Sequence, residues 1–422
     1  MIKLFDYSKL PIRNVLCLDM KSFFASVEAV ERGLDPMETL LVVVANKNRK
    51  GSVVLAASPK MKELYGIKTG SRFFEIPVNN KQIHIVESRM ALYVNYASKV
   101  IQILEKFAPY EAIDVYSIDE SWICTDGTEK LFGNRWEVAR KIRETIYEET
   151  GLPSCIGIGP NKFLAKVILD IEAKKNGIAE CKYKDVEDKL WPQKVEAIWG
   201  IGKRMQKNLN RMGIFKVGEL ATTPLNKLKE RFGVMGEQLY WHSWGVDLSP
   251  VIQDWEFEEE QKSISTGITL MSDYGGEDTE IVILELCEEI GLRLRQSFLQ
   301  CKTVYLGIEY SKDIGGGFGH SHTMNDYSCI SNQIYKECIS LFRKYYQGFP
   351  VRKVSVAVSN LQNFDNLQLK LFDEENQRDL SLSFALDEVK NKYGKHSIFK
   401  GVSLFKNATA KERANKIGGH NK

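Results

Sequence analysis

The sequence lacks any apolar run approaching the roughly 20 consecutive residues that a membrane-spanning helix needs. Its first six residues, Met1-Ile2-Lys3-Leu4-Phe5-Asp6, include an early acid and lack the apolar stretch of a signal peptide. These two absences exclude an integral membrane protein and a protein exported by a signal peptide. We therefore expect a cytoplasmic protein without a membrane partner.

The sequence also lacks any Cys-x-x-Cys pair. Its eight cysteines are scattered, at positions 17, 124, 155, 181, 287, 301, 329 and 338. Zinc sites and disulfide frameworks use closer, repeated spacings, so both are disfavoured. We expect these cysteines to be core or surface thiols of a reducing cytoplasm.

Excess charge of one sign is absent too, because the net charge is only +3 over 422 residues. Its distribution is more informative. Residues 191–247 carry nine Lys and Arg against five Asp and Glu, residues 389–422 carry nine against one, and residues 254–260 hold five acids. This alternation is typical of a modular chain with polyanion-binding parts, although a solvated surface with a basic tail has the same pattern.

The length suggests about three or four domains. In the first 182 residues, apolar runs that predict strands alternate with helical patterns, which indicates an α/β or α+β domain. Short helices and glycine turns follow, and residues 262–360 alternate strand and helix again. The acidic stretch 248–261 is the predicted linker. The polar tail after Leu361 is expected to be weakly ordered apart from short motifs.

Three acids in the first segment adjoin apolar strand residues: Asp19, Asp119 and Glu120. A carboxylate at the end of a buried strand is costly unless a partner or cation meets it. Adjacent strand residues point to opposite faces, so Asp119 and Glu120 can share an ion only where the chain bends, as at a hairpin turn. Three such carboxylates suit two Mg²⁺ ions in phosphoryl transfer. Ordinary turn residues or salt-bridge partners are the alternative.

Four strings in one order resemble motifs of the Y-family DNA polymerases. They are LDMKSFFASVE at 18–28, SIDES at 117–121, GIGPNKFLAK at 157–166 and AKKNGI at 173–178. The likeness covers residues 12–182 and continues more weakly to about residue 360. It is greatest to the UmuC-like UV-damage repair polymerases of Gram-positive bacteria and their phages or plasmids.

This resemblance implies two-metal nucleotidyl transfer from dNTPs onto a primer–template DNA. Asp19 and Asp119 would bind both Mg²⁺ ions, and the Met20 carbonyl would complete the nucleotide-side ion. Glu120 would hold the ion that activates the primer 3′-hydroxyl. The implied activity is error-prone translesion synthesis in DNA repair or damage tolerance.

The resemblance also implies roles for residues around the nucleotide. Phe24 would be the steric gate against a ribose 2′-hydroxyl, with Phe23 beside it, although either ring also suits core packing. Ser58, Lys60 and Lys62 follow the strand where the family places a hydroxyl, a tyrosine and an arginine, but the tyrosine is missing here. Lys174 is the better candidate for the triphosphate. The spacing from Lys166 to Lys174 is one residue longer than the family's.

The segment 195–205 has the pattern of a helix-hairpin-helix, whose turn amides and positive helix end attract a DNA phosphate. The predicted DNA-binding residues are Gly200, Gly202, Lys203, Arg204 and Lys207. In the tail, QLKLF at 368–372 resembles the peptide that attaches bacterial polymerases to the sliding clamp. Its proposed contact residues are Gln368, Leu369, Leu371 and Phe372.

The predicted fold is a multidomain α+β right hand. It comprises a ferredoxin-like palm (1–24 and 87–182), small fingers (25–86), a helical thumb (183–247), the linker 248–261, an α/β little finger (262–361) and a tail (362–422).

Arg89 and Tyr93 are expected to form hydrogen bonds at the edge of the active site or to be an ordinary surface pair. Two alternatives stay open: a non-catalytic clamp-bound adaptor, and a nucleotide cyclase that shares the palm's general shape.

Overall fold

The computed structural model describes residues 6–251, 261–364 and 374–422, apart from the side chains of residues 374–376. The chain divides into two compact units, residues 1–256 with 420–422 and residues 257–419. Much of the predicted linker, 252–260, lies outside the described residues. No helix among those described is long and apolar enough to cross a membrane. All eight cysteines are free and buried.

Strands and helices of the first unit occur in mixed order. Its strands are β1 (Val15–Met20), β2 (Leu41–Val44), β3 (Val54–Ala57), β4 (His84–Glu87), β5 (Ile113–Val115), β6 (Glu120–Cys124), β7 (Ser154–Gly159) and β8 (Ile178–Glu180). Its helices are α1 (Phe23–Val30), α2 (Pro59–Tyr65), α3 (Met90–Leu104), α4 (Glu129–Phe132), α5 (Arg135–Thr150), α6 (Lys162–Ile168), α7 (Lys174–Asn176), α8 (Lys203–Arg211), α9 (Val217–Thr222), α10 (Leu225–Phe232) and α11 (Val234–Ser243). Two π turns, Leu169–Ala173 and Val186–Leu190, and several short 3₁₀ turns also occur in this unit.

The main sheet of this unit has the strand order β5-β6-β1-β7-β8. Its first four strands are antiparallel to their neighbours, and β8 is parallel to β7. With α3 and α5 as the connections, β1, β5, β6 and β7 form a βαββαβ unit with the ferredoxin-like order. Val15, Leu16 and Cys17 of β1 are completely buried, so a charged side chain at those positions would have no access to water. Asp19 is the one residue of β1 that is not fully buried.

Two smaller assemblies complete the first unit. A three-stranded sheet, β3-β2-β4, pairs β2 antiparallel to β3 and parallel to β4, around a core that includes Val42, Val54 and Met61. The helices α8 to α11 form the second assembly. There the indole N–H of Trp244 donates to the Ala221 carbonyl over 3.1 Å.

The second unit is a four-stranded antiparallel sheet with helices packed on it. Its elements are β9 (Ser263–Tyr274), α12 (Gly276–Gln296), β10 (Leu299–Tyr310), β11 (Gly317–Ser328), α13 (Ser331–Tyr345), β12 (Val351–Asn363), α14 (Glu374–Tyr393), α15 (Ala410–Ala414) and β13 (Lys416–Ile417), while β14 (His420–Asn421) belongs to the first unit. The strand order is β11-β10-β12-β9. Alternate residues of β12, such as Val354, Val356 and Val358, enter the core beneath α12 and α13.

The expectation of a weakly ordered tail is wrong for residues 377–419. Asp387 of α14 is buried and accepts from Arg295 Nε and Nη2 of α12 at 2.6 and 3.0 Å. Glu285 of α12 is buried as well, and it accepts from the backbone N–H and hydroxyl of Thr409 at 2.8 and 2.7 Å. The tail is therefore docked by polar contacts, which a hydrophobic pattern does not reveal.

Candidate active site

The end of β1 and the start of β6 bring two acids side by side. The strands are antiparallel neighbours, and Asp19 lies directly opposite Glu120 in their register. The backbone N–H of Met20 donates to the Asp119 carbonyl over 2.9 Å, which joins the turn before β6 to the end of β1. The four residues proposed as metal ligands therefore lie at one end of the sheet.

The connection between β5 and β6 is a tight turn that contains Asp119. β5 ends at Val115, and the Glu120 carbonyl accepts from the backbone N–H groups of Tyr116 and Ser117 at 3.1 and 3.0 Å. The Ser117 hydroxyl donates to Asp119 Oδ1 over 2.8 Å. Asp119 and Glu120 are thus not two residues of one flat strand. The bend that sharing an ion requires is present.

The Asp19 carboxylate is costly to keep charged. Burial raises its pKa, the nearby Lys174 ammonium lowers it, and the Asp119 carboxylate raises it again, leaving the pKa above its usual value. A group in this state gains from any cation placed beside it. The end of β1 is therefore expected to attract a cation.

Two lysines supply positive charge to these acids. Lys174 Nζ is 3.1 Å from Asp19 Oδ2, and Lys166 Nζ is 2.7 Å from Glu120 Oε1. Both lysines also contact Asp170, at 2.7 Å from Lys174 and 3.3 Å from Lys166. Asp170 was not among the predicted site residues, although its i, i+4 spacing from each lysine is a signal for this pairing.

The chemistry of the donor set fits a hard divalent cation. Asp19, Asp119 and Glu120 offer carboxylate oxygens and Met20 offers a backbone carbonyl, which are ligands that Mg²⁺ accepts. Among the residues that the structure describes, no three Asp, Glu, His or Cys side chains are grouped closely enough to form a finished metal site. The carboxylates of Asp19 and Glu120 face lysines instead, so these ion pairs must open for ions to bind.

The two phenylalanines after β1 lie in different environments. Phe23 is 3% exposed and belongs to the core, whereas Phe24 is half-buried. Phe24 stacks on Tyr93, with ring centroids 4.4 Å apart and planes inclined by 15°. The position of the Phe24 ring is therefore supported from one side by α3.

A buried glutamate holds the ring that supports Phe24. Glu28 of α1 is fully buried and accepts from the Tyr93 hydroxyl at 2.7 Å and from Arg89 Nε and Nη2 at 3.0 and 2.7 Å. It also pairs with Arg32. Burial raises the pKa of Glu28, but these hydrogen bonds outweigh it and hold the pKa below its usual value. Arg89 and Tyr93 therefore hold α1 in place through Glu28. Tyr93 in turn supports the Phe24 ring.

Lys62 is directed toward the start of α1. Its Nζ donates to the Ser22 hydroxyl over 2.8 Å, and Ser22 has a left-handed φ of 49° between β1 and α1. Burial lowers the pKa of Lys62, Asp19 raises it, and the neighbouring Lys174 lowers it again, leaving a net decrease. Lys62 and Lys174 therefore form a positive pair next to Asp19.

The other two predicted phosphate ligands have local partners. Lys60 Nζ is 3.2 Å from Glu38 Oε2 and 3.7 Å from Glu63 Oε2. Ser58 is buried, and its hydroxyl accepts from the backbone N–H of Met61 at 3.3 Å as the N-cap of α2. The structure thus brings Lys62 and Lys174 to the carboxylates and gives Ser58 a capping role.

The predicted hairpin lies between the 3₁₀ turn Val195–Ala197 and α8. Gly200 adopts a φ of +92°, which a residue with a Cβ rarely tolerates, and Gly202 is the N-cap of α8. Trp199 of the hairpin contacts Tyr116 of the β5–β6 turn, with ring centroids 5.9 Å apart. The three proposed basic residues are exposed on α8: Lys203, Arg204 and Lys207.

The proposed clamp peptide lies outside the described residues, so the structure places none of its members. These are Gln368, Leu369, Leu371 and Phe372. Its flanks are described: β12 ends at Asn363 and α14 begins at Glu374. The segment is therefore internal, between two ordered elements of the second unit.

Three family models match this chain. One described as impB/mucB/samB family matches residues 18–170, and its C-terminal domain matches residues 261–371. A third, described as DNA polymerase-iota, thumb domain, matches residues 196–247. The matched segments include all three carboxylates and the predicted hairpin.

Similar proteins cover almost the whole chain. It is 44% identical to the putative UV-damage repair protein UvrX of Bacillus subtilis, over 98% of this chain and 99% of the relative. The chain belongs to the Y family of DNA polymerases. Another relative is DNA polymerase IV 2 of Halalkalibacterium halodurans, 34% identical over 97% of this chain and 99% of that protein.

A solved Y-family DNA polymerase chimera of Dbh and Dpo4 shows the same fold. Its TM-score is 0.66 at 24% identity, and the match covers 82% of this chain and 98% of the chimera. The predicted α+β right-hand Y-family architecture is thereby confirmed. The nucleotide cyclase alternative is wrong, because the Y-family match extends through the thumb and the second unit.

Proposed function

We propose that the protein is a DNA-directed DNA polymerase that performs error-prone translesion synthesis in DNA repair or damage tolerance. The observation that carries this proposal is Asp19 opposite Glu120, with Asp119 in the adjoining turn. Relatives named DNA polymerase IV and UV-damage repair protein support the same activity. The reaction is attack of a primer 3′-hydroxyl on the α-phosphate of a dNTP, with release of pyrophosphate.

Two Mg²⁺ ions would be held by Asp19, Met20, Asp119 and Glu120, and when bound they would stabilise charge on the attacking and leaving oxygens. The protein's own residues would position the primer 3′-hydroxyl and the dNTP. The β1–β6 register fixes two of the carboxylates, and the turn fixes the third. The carbonyl of Met20 would complete the nucleotide-side set.

The triphosphate requires positive charge besides the metal ions. Lys174 and Lys62 are the residues best placed to supply it, because Lys174 Nζ lies 3.1 Å from Asp19 Oδ2 and Lys62 Nζ lies 2.8 Å from the Ser22 hydroxyl, three residues after Asp19. Lys174 would exchange its contact with Asp19 for one with a phosphate oxygen. Ser58 and Lys60 would contribute only indirectly, through α2.

Phe24 would exclude ribonucleotides by filling the volume that a 2′-hydroxyl needs. Its stacking on Tyr93 supports this role, since a supported ring cannot turn aside at low cost. Phe23 would serve as core support behind it. Tolerance of damaged templates would follow from the small fingers, which would check the shape of the base pair only weakly.

DNA would be held by phosphate contacts at the thumb hairpin. Gly200 and Gly202 would let backbone amides approach a phosphate, and the exposed basic residues of α8 would add charge without reading sequence. A cytoplasmic location is part of this proposal.

We also propose that the peptide 368–372 binds the sliding clamp. Leu371 and Phe372 would fill an apolar cleft, which is worth about 3–6 kcal/mol before ordering costs. The double variant Leu371→Ala with Phe372→Ala should lose clamp-stimulated synthesis and keep basal synthesis. Undiminished stimulation would assign clamp binding to another surface.

Primer extension with Mg²⁺ tests the central proposal. Asp119→Ala should abolish extension while leaving affinity for primer–template DNA close to that of the wild type. The matched control is Asp114→Ala, which removes a nearby acid that pairs with Lys162 and lies outside the proposed ligand set. If the wild-type protein binds the clamp but extends no primer, the clamp-bound adaptor alternative replaces this proposal.

A further inference from the structure

Lys166, Asp170 and Lys174 form a continuous ion-pair chain between the two strand-end acids. The order of contacts is Glu120, Lys166, Asp170, Lys174 and Asp19, each with nitrogen-to-oxygen separations between 2.7 and 3.3 Å. Lys166 is 6% exposed, so it depends on these carboxylates for its hydrogen bonds. Asp170 is the member of this ion-pair chain that touches both lysines.

A regular α-helix would not aim both lysines in this way. Each α-helical residue turns by about 100°, so two residues eight apart would point about 80° from each other. In the structure, Leu169–Ala173 is a π turn, in which the backbone N–H of Lys174 donates to the Leu169 carbonyl five residues earlier. A π turn absorbs one extra residue, which leaves the two lysines about 20° apart in direction.

The sheet fixes this helical segment at its beginning. α6 lies directly on β7, where a Cβ added to Gly157 would be 2.1 Å from the Ala165 carbonyl oxygen and 2.6 Å from the Leu169 nitrogen. A Cβ added to Gly159 would be 2.5 Å from the Ala165 nitrogen. Backbone groups approach this closely only because both positions are glycine, so α6 cannot slide or rotate on β7.

The sheet fixes the end of the segment as well. Gly177 has a φ of +86°, its backbone N–H donates to the Ala173 carbonyl over 2.7 Å, and its carbonyl accepts from Ile156 of β7 at 2.9 Å. The next residue, Ile178, pairs with Ile156. With both ends held by β7, an extra residue between them has to be absorbed within the turn.

We propose that the π turn Leu169–Ala173 sets the register that aims Lys174 at the incoming triphosphate, and that Asp170 is the positioning residue for both lysines. This inference rests on the proposed polymerase function. Asp170 need not touch the substrate. It holds the Lys174 ammonium beside Asp19 before the nucleotide arrives, and it gives Lys166 a second carboxylate partner for when Glu120 binds an ion.

Length variants of the turn test the register. Deleting Glu172 removes the extra residue and should leave a plain α-helix with Lys174 in the same place, so dNTP affinity should stay within about threefold of wild type. Inserting an alanine between Glu172 and Ala173 should turn Lys174 by about 100° and weaken dNTP binding about tenfold or more, as Lys174→Ala should also do. Glu172→Ala is the matched control, because the Glu172 carboxylate pairs with Lys189 at 3.0 Å rather than with Lys166 or Lys174.

Asp170→Asn tests the positioning role. It should raise the KM for dNTP about three- to tenfold with a smaller change in kcat, and Asp170→Glu should restore part of the loss. Equilibrium binding of a non-hydrolysable dNTP to enzyme on a dideoxy-terminated primer gives a readout independent of turnover.

Three outcomes would overturn the inference. The first is a deletion variant that keeps wild-type melting temperature and DNA affinity yet loses as much dNTP affinity as Lys174→Ala. The second is an insertion variant with wild-type dNTP affinity. The third is unchanged dNTP affinity in Asp170→Asn. Because every variant is compared with an active wild type, these results are distinct from a failure of the polymerase proposal, in which the wild type itself extends no primer.

Discussion

The main sheets of the two units share the element order βαββαβ but use their strands differently. In the first unit, β7 is buried at all six residues and β1 at five of six. In the second, β9 and β12 alternate buried and more exposed residues along 12 and 13 positions. Strands covered on both faces can carry charged side chains only at their ends, whereas strands with an open face can carry polar groups along their length.

This difference in burial determines where each sheet can hold polar functional groups. The buried sheet concentrates its polar function at one point, Asp19 and Glu120 with Asp119 beside them. The open sheet presents a row of hydroxyls and small residues, and two of its basic residues, on β12, are already paired with acids. Lys353 lies 2.7 Å from Glu309, and Arg352 lies 2.8 Å from Asp273. The positive charge of Arg352 and Lys353 is therefore largely neutralised.

The largest expected contrast is between single substitutions in the two sheets. Asp19→Asn should reduce primer extension by on the order of 10³-fold or more, since it removes charge where the transition state needs it. Ser265→Ala, on an exposed position of β9, should change the rate less than about twofold. Steady-state primer extension by the two variants measures the contrast. Comparable losses in both would show that function is not concentrated at the strand end.

Each unit also has a buried ionic anchor. Asp387→Asn in the second unit should lower the free energy of unfolding by about 3 kcal/mol, because the amide keeps one acceptor oxygen but removes the negative charge beside the buried Arg295. Glu28→Gln in the first unit should cost less, because Arg89 and Arg32 are partly exposed. Chemical denaturation measures both. Asp387→Asn should keep basal polymerase activity, since it anchors only the tail. Loss of catalysis with unchanged stability would contradict this assignment.

The anchor at Glu28 should depend on pH in a defined direction. The pKa of Glu28 lies below its ordinary value of 4.5. Its contribution to stability is therefore fully present above that value and is lost as pH falls through the lower, folded-state pKa. The stability difference between the wild type and Glu28→Gln should shrink over that acidic interval. A difference that stays constant down to the acid transition would argue against a depressed pKa.

Sugar selectivity should depend on one ring of the first unit. Phe24→Ala should improve ribonucleotide incorporation relative to deoxyribonucleotide incorporation by about 100-fold, because the volume of the 2′-hydroxyl is no longer filled. The ratio of kcat/KM values for rNTP and dNTP measures it. Tyr305→Ala, an aromatic change on the exposed sheet of the second unit, is the control and should leave the ratio unchanged. Unchanged selectivity in Phe24→Ala would move the gate to Phe23.

The smallest expected effect concerns the salt dependence of DNA binding. Lys203→Ala with Arg204→Ala should reduce the slope of log affinity against log salt by about 0.9 for each DNA phosphate that the variant no longer neutralises. Lys353→Ala should alter it less, because Lys353 is paired with Glu309. Lys106→Ala is the control, since Lys106 pairs with Glu149 at 2.6 Å. A slope unaffected by the thumb variant would show that the hairpin does not face the DNA backbone.

Sequence motifs were sufficient for the strand-end acids and the fold class but not for the partners of the acids. Asp19 and the Ser117–Glu120 turn follow from apolar strand runs that end at polar residues. The anchoring of residues 377–419 does not follow from any such run. It depends on Arg295 and Asp387, which are 92 positions apart and become partners only after α12 and α14 pack together.

The sequence by itself determined which residues end the buried strands and which side chains are acidic, basic or aromatic. Local periodicity carries that information because burial in a strand or helix depends on nearest neighbours in the chain. The tertiary structure alone decided that Lys62 contacts Ser22 whereas Lys60 pairs with two glutamates, and that a π turn absorbs the extra residue before Lys174. Both outcomes depend on contacts between segments distant in sequence: α2 with the turn between β1 and α1, and β7 with α6 and β8.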